Sequence, residues 1–362
     1  MQLPFVSVII YNMKKIISMI SVILLLLGIS SCAAAPVEKQ RFSTSFLDLF
    51  DTASTVIAYD ESQELFNEHF QQFYDKLAEY DKLYDIYKSY DGLTNLYTLN
   101  REAKDGPVKV DKKIIDLLEY CKYAYDLSGG KTNICFGSVL ELWHDSREYA
   151  KNNPDDAKIP DMKALTIAAK HTNFESLVID RENSTVYFSD PDLRLDVGAV
   201  AKGYAVREVS DWARDNLWSS AAISIGGNIS TIGYKNDDGK TPWNIGLENP
   251  EPDVSDYLYN LNITDMSVVI SGDYQRYFIA DGKKYCHIID PDTLLPAEYV
   301  ASVAVVCEDS ALGDVLSTTL FNMSVEDGMK LVESIDGVEA VWVTPDYERH
   351  LSKGFEKYIA AQ

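Results

Sequence analysis

The chain has 362 residues, enough to bury a large core in one big domain or two lobes, and its make-up is globular, 46% hydrophobic and 25% charged. Its 56 acidic residues against 33 basic ones give a net charge of −23, which argues against nucleic-acid binding, since phosphate contacts need clustered lysine and arginine. The same charge demands that any anionic ligand sit where a metal ion and a few cations reverse the local field.

The N-terminus reads as an address. Lys14 and Lys15 precede the apolar run Ile16 to Ile29, and Ser30 and Ser31 lead to Cys32. This is the order of an export signal, and the run is short for a membrane span. Ile29-Ser30-Ser31-Cys32 resembles a bacterial lipobox. Residues 1–31 are therefore expected to be a lipoprotein signal peptide, with Cys32 lipidated and residues 32–42 a tether before a domain over 43–362. A plain cleaved signal is the alternative, and translation starts at Met1 or Met13. The expected location is outside the cytoplasm, on the outer face of the cytoplasmic membrane or the periplasmic side. Cys121, Cys135, Cys286 and Cys307 lack CxxC spacing, against a structural zinc site, and leave two disulfides or buried thiols open.

In chain order, residues 46–59 predict a first strand with Phe50-Asp51-Thr52 near its middle. Residues 62–90 predict a long helix whose Leu65, Phe66, Phe70, Phe73, Leu77, Tyr80 and Tyr84 mark a core face. A helix over 111–127 turns Ile114, Ile115, Leu118 and Ala124 inward and breaks at Ser128-Gly129-Gly130. Residues 146–160 are polar and read as an exposed loop. From 176 to 307 strand-like runs alternate with turns around a helix at 199–217, and helices follow at 309–322 and 325–335. This is an α+β plan without internal repeats.

Four segments carry chemistry. Leu193, Leu195 and Val197 alternate with Arg194 and Asp196, predicting a strand that runs through Gly198 into a helix with Ala201, Ala205, Val209 and Trp212 on one face. Asp196 then stands beside a helix N-terminus, where free N–H groups favour phosphate, and Lys202 adds a positive charge. Ser224-Ile-Gly-Gly-Asn228 places two glycines after a strand, where backbone approaches a ligand closely. Ser271-Gly-Asp-Tyr-Gln-Arg-Tyr-Phe278 and Lys284-Tyr-Cys-His-Ile-Ile-Asp-Pro-Asp-Thr293 predict antiparallel strands joined at Asp281-Gly282, with Ser271-Gly272 and His287 on neighbouring strands. His287 is a candidate base, and Asp290 before Pro291 fixes the turn. In Asp309–Phe321, capped by Asp309 or Ser310, Asp314 and Thr318 lie four apart on one helix face. Such an oxygen-only pair suits Mg²⁺, which completes its shell with water and phosphate oxygens.

Together these segments resemble the FAD:protein FMN transferase (ApbE) family, from about Phe46 to the C-terminus. The resemblance implies a T-fold-like architecture with mixed or antiparallel sheets and flanking helices. It implies an enzyme that uses FAD and Mg²⁺, moves FMN onto a threonine or serine hydroxyl of an acceptor flavoprotein, and releases AMP. It places the metal on Asp314, Thr318 and the Ala199 carbonyl with Ser317 close by. FAD would contact Lys131, Thr132, Asn133, Asp196, Lys202 and Ile289, with Phe50 near the ring system. His287 would activate the acceptor hydroxyl or relay the phosphoryl group. Acceptors implied are subunits of Rnf-type or Na⁺-translocating NADH:quinone reductases, reached from a lipid-anchored position, or secreted flavoproteins. Leu294 stands where the family usually has glycine, Ala199 replaces a glycine, and Thr132-Asn133 replaces a commoner Phe-Asp. An FAD pyrophosphatase and a non-catalytic FAD-binding lipoprotein are the competing readings.

Overall fold

Residues 302–307 show how the sequence builds the centre of the molecule. All six are buried, and their alternation sends Val303, Val305 and Cys307 into one apolar layer and Ala304 and Val306 into another. A strand buried on both faces belongs in the middle of a sheet with cover on each side. The computed structural model describes residues 38–361, so the signal, Cys32 and most of the expected tether lie outside the described residues.

The elements are β1 (Gln40–Phe46), β2 (Ser54–Asp60), α1 (Gln63–Tyr84), α2 (Leu96–Glu102), β3 (Val108–Lys109), α3 (Lys112–Leu127), α4 (Gly137–Asn152) and α5 (Met162–Ala168). There follow β4 (Leu177–Asp180), β5 (Thr185–Phe188), α6 (Ala201–Asn216), β6 (Ala221–Ile225), β7 (Asn228–Ile232), β8 (Trp243–Leu247), β9 (Tyr259–Ile263) and β10 (Ser267–Gly272). The chain ends with β11 (Tyr277–Ala280), β12 (Lys283–Cys286), β13 (Ser302–Cys307), α7 (Ser310–Phe321), α8 (Val325–Glu333), β14 (Glu339–Val343) and β15 (Arg349–Leu351). An eight-stranded antiparallel sheet in the order β1-β2-β6-β7-β10-β13-β14-β15 forms the frame. Helices α1, α6 and α7 cover one face, burying Phe66, Phe73, Leu77, Val209, Val315 and Leu316. The β8–β9 hairpin covers part of the other through Trp243, Leu247, Leu261 and Ile263. The α+β plan with antiparallel sheets and flanking helices is thus observed.

Several expectations are corrected. The first strand is two strands, and Phe50 and Asp51 lie in the turn between them with φ of 55° and 48°. Two consecutive side-chain-bearing residues in the left-handed region are strained. Because β1 starts at Gln40, residues 40–42 belong to the sheet and not to a tether. Helix α1 stops at Tyr84, where Asp85 turns extended and its carboxylate accepts the N–H groups of Tyr87 and Lys88. Residues 146–152 are not loop but the end of α4, whose Val139, Trp143 and Ala150 face inward. Leu193, Leu195 and Val197 are buried as the alternation requires, yet residues 193–197 form no strand of a sheet. Their backbone bonds go instead to Ile134, Gly137 and the Asn100 side chain. Cys121, Cys135, Cys286 and Cys307 are free and buried.

Candidate active site

Helices α6 and α7 pack against each other at Gly203. A Cβ there would fall 2.4 Å from both Asp314 Cβ and Ser310 O, so only glycine allows this approach. The contact joins two of the four chemical segments. Gly203 N–H, one of the donors left without an intrahelical partner in the first turn of α6, donates to Asp314 Oδ2 at 2.8 Å. Asp314 Oδ1 lies 3.7 Å from Lys202 Nζ. Asp309 caps α7 by accepting from Ala311 and Leu312 N–H, while Ser310 Oγ has no such bond and is buried.

Burial pushes the Asp314 carboxyl up from its ordinary range, opposed by Lys202, the Gly203 N–H and the Asn228 amide. Asn228 Nδ2 faces this carboxylate without completing a hydrogen bond. It is presented by the β6–β7 turn, where Gly226 and Gly227 have φ of 54° and 90° and a Cβ on Gly226 would strike Thr52. Thr318 follows one turn after Asp314 on the same wall. Its neighbour Thr319 bonds back to the Val315 carbonyl at 2.8 Å, the arrangement that would have made a helix threonine merely structural.

His287 follows the β11–β12 hairpin, whose Asp281-Gly282 turn has positive φ at both positions. Ser271 is not on a neighbouring strand of that hairpin, because β10 belongs to the large sheet; both residues nevertheless line one cavity. His287 N–H donates to Arg276 O at 3.0 Å and Nδ1 stands 3.2 Å from the same carbonyl. A carbonyl only accepts, so Nδ1 carries the proton and Nε2 offers a lone pair. Burial first, then Arg276, Arg147 and Lys202, push the imidazole down to about 3, so it is neutral at physiological pH.

These groups share a cavity of about 670 Å³, a size suited to a dinucleotide. Phe50, Lys131, Thr132, Asn133, Asp196, Ala199, Lys202, His287, Ile289, Asp314 and Thr318 all line it. Ser317 does not: it is buried behind the wall, donating to Asp314 O at 3.0 Å and accepting from Ser271 Oγ at 2.9 Å. Three lining residues spend their polar atoms on the fold. Lys131 Nζ pairs with Asp290 at 2.9 Å and Asp292 at 2.7 Å. Thr132 Oγ1 shares a hydrogen bond with Thr319 Oγ1 at 2.8 Å. Asn133 donates to Thr172 O and accepts from Cys135 N–H. Burial raises the Asp196 carboxyl, opposed by the Gly198 N–H, His144, Arg147 and Arg276. The sequence reading gave no role to Arg147, Arg276, Asn228 or the Trp143–Phe278–Tyr285 aromatic wall. For Arg147 the available signal was the inward spacing of Val139, Trp143 and Ala150, which continues the helix through it.

The ApbE family model matches residues 50–342, four-fifths of the chain. The chain belongs to the ApbE family. Among its curated relatives, an FAD:protein FMN transferase of Klebsiella pneumoniae is 31% identical over 279 residues, 75% of this chain and 84% of that one. One of Treponema pallidum is 32% identical over 271 residues, 72% and 73% of the two chains. The crystal structure of the ApbE protein from Thermotoga maritima superposes with a TM-score of 0.77 at 25% identity, over 89% of this chain and all of that one.

Leu294, which stands where the family usually has glycine, lies in the left-handed region that glycine favours, with φ of 62°. Its carbonyl accepts from Trp143 Nε1 at 3.0 Å, which ties the loop beside His287 to the aromatic wall. The donor set around Asp314 fits a hard divalent cation: a buried carboxylate whose cavity is also lined by Thr318, with its hydroxyl, and by Ala199, with its backbone carbonyl.

Proposed function

We propose that this chain transfers the FMN moiety of FAD to a threonine or serine hydroxyl of an acceptor flavoprotein, with Mg²⁺, and releases AMP. The observation that carries the reading is the α6–α7 crossing, where Asp314, Lys202 and the Gly203 N–H meet inside the cavity that also holds His287. The names of the curated relatives support the donor and the type of reaction.

Asp314, Thr318 and the Ala199 carbonyl would hold Mg²⁺, which when bound neutralises charge on the diphosphate. Lys202, Arg147 and Arg276 add fixed positive charge to a chain of −23, concentrated where the diphosphate must lie. His287 Nε2 accepts the proton of the acceptor hydroxyl. The hydroxyl oxygen forms a bond to the phosphorus on the FMN side, the P–O bond to the AMP phosphate breaks, and AMP leaves with that electron pair. The enzyme supplies no nucleophile of its own, so positioning and charge account for the rate. We further propose export as a lipoprotein anchored through Cys32, with acceptors among Rnf-type or Na⁺-translocating NADH:quinone reductase subunits; the support is the N-terminal sequence alone.

The test is incubation with FAD, Mg²⁺ and a threonine-bearing acceptor domain. Flavin fluorescence that stays with the acceptor on a denaturing gel, with AMP in solution, is expected. AMP and free FMN with unlabelled acceptor would make the chain a pyrophosphatase, and bound FAD without AMP a carrier.

A further inference from the structure

Lys202 and Asp314 are not located by their contact with each other, since 3.7 Å separates Nζ from Oδ1, beyond hydrogen-bond reach. Their places depend on how α6 and α7 cross, and polar groups pin that crossing at two points. One is the Gly203 N–H on Asp314. The other lies a helical turn further along α6, where Arg207 Nη1 donates to Asp309 Oδ2 at 3.3 Å. Neither Arg207 nor Asp309 lines the cavity.

Asp309 divides its carboxylate between two tasks. Oδ1 caps α7, accepting the Ala311 N–H at 2.8 Å and the Leu312 N–H at 3.3 Å. Oδ2 takes Arg207. The guanidinium is itself held. Its carbon lies 4.4 Å from the centre of the Tyr204 ring and 4.8 Å from that of Tyr120 on α3. Its Nε and Nη2 both donate to Glu208 Oε1, at 3.1 and 2.9 Å. A planar fork suits this place in a way that an ammonium point charge does not. Through Arg207 the start of α7 is tied to α6 and, by way of Tyr120, to α3. A single polar contact at Gly203 would serve as a pivot. Two contacts a turn apart fix the register, and Asp314, which follows the cap on the same helix, is carried to its place.

We propose that Arg207 is a positioning residue for the grip on Mg²⁺ and diphosphate: by pinning the Asp309 cap, it holds the Asp314 carboxylate in register with Gly203 and Lys202. The inference rests on the FMN-transfer reading. Loss of Arg207 leaves every group that faces the ligand in the chain but lets the carboxylate drift from Lys202. The cation and the diphosphate then support each other's binding less.

Titrating FAD with and without Mg²⁺ into wild type, Arg207→Met, Arg207→Lys and Asp309→Asn tests this, with thermal melts alongside. Methionine keeps an apolar stem on the tyrosines, and asparagine still caps α7 while losing the second carboxylate oxygen. In Arg207→Met and in Asp309→Asn, the tightening of FAD by Mg²⁺ is expected to fall about fivefold, with affinity for FAD alone close to wild type. Arg207→Lys should recover part of it, and the double variant of Arg207→Met with Asp309→Asn should lose no more than either alone. A lowered melting temperature with the full Mg²⁺ effect would make Arg207 merely structural and overturn the inference. Should Arg207→Met fail to fold, Asp309→Asn decides by the same criterion. Wild type that binds FAD with no response to Mg²⁺ would overturn the Mg²⁺-dependent reading itself, and this inference with it.

Discussion

Two walls of the cavity make opposite uses of their polar residues. At the α6–α7 crossing, Lys202, Gly203 and Asp314 direct their polar groups at one another and at the cavity. Along residues 131–133, Lys131, Thr132 and Asn133 reach the same cavity but give their polar atoms to Asp290, Thr319 and Thr172. Lining a site and acting in it are therefore separable. The first wall is where the chemistry should be sensitive to single atoms, and the second is where shape should matter more than charge.

Variants can sharpen that contrast. His287→Gln is expected to lower transfer by about 10² to 10⁴ while FAD affinity stays close to wild type, as for loss of a general base. Loss of FAD binding instead would make His287 structural. Gly203→Ala brings a methyl group to 2.4 Å from Asp314 Cβ and Ser310 O, so the helices must separate. The expected cost is about 1–3 kcal/mol of stability, with transfer lost beyond what that cost explains. Thermal melts and assays on the folded fraction separate the two effects. Arg147→Gln should cost about tenfold in transfer, or 1.4 kcal/mol. Because Arg147 helps hold the His287 imidazole down, its removal raises that pKa. The acid limb of the pH–rate profile should then move to higher pH, a shift that mere loosening of α4 would not produce.

The crossing was legible in the sequence because packing and chemistry there make the same demand. Neither the lysine-bearing turn nor the Asp314–Thr318 pair is specific alone; it is their occurrence in order with the two other segments, the pattern that resembles the family, that made the convergence readable. Most strands between residues 176 and 307 were also legible, since alternation survives wherever one face is buried, whereas β14 and β15 were not expected. Arg147 was not legible, because the polar run from Ser146 reads as loop although the inward spacing of Val139, Trp143 and Ala150 carries the helix through it. Residues 193–197 misled for a related reason: burial on alternate sides follows from extended backbone, whether or not a neighbouring strand supplies the hydrogen bonds. Phe50 was placed mid-strand because neither it nor Asp51 is a turn-forming glycine, and the contacts that force the turn, from Asp81 and Arg276, are remote in sequence.

The central claim is that the α6–α7 crossing grips a divalent cation and the diphosphate of FAD together. Titrating FAD into the protein with and without Mg²⁺, for wild type and for Asp314→Asn, tests it most directly. The account predicts that Mg²⁺ tightens FAD binding to wild type and that this coupling disappears in Asp314→Asn. An equal Mg²⁺ effect in both proteins would contradict it.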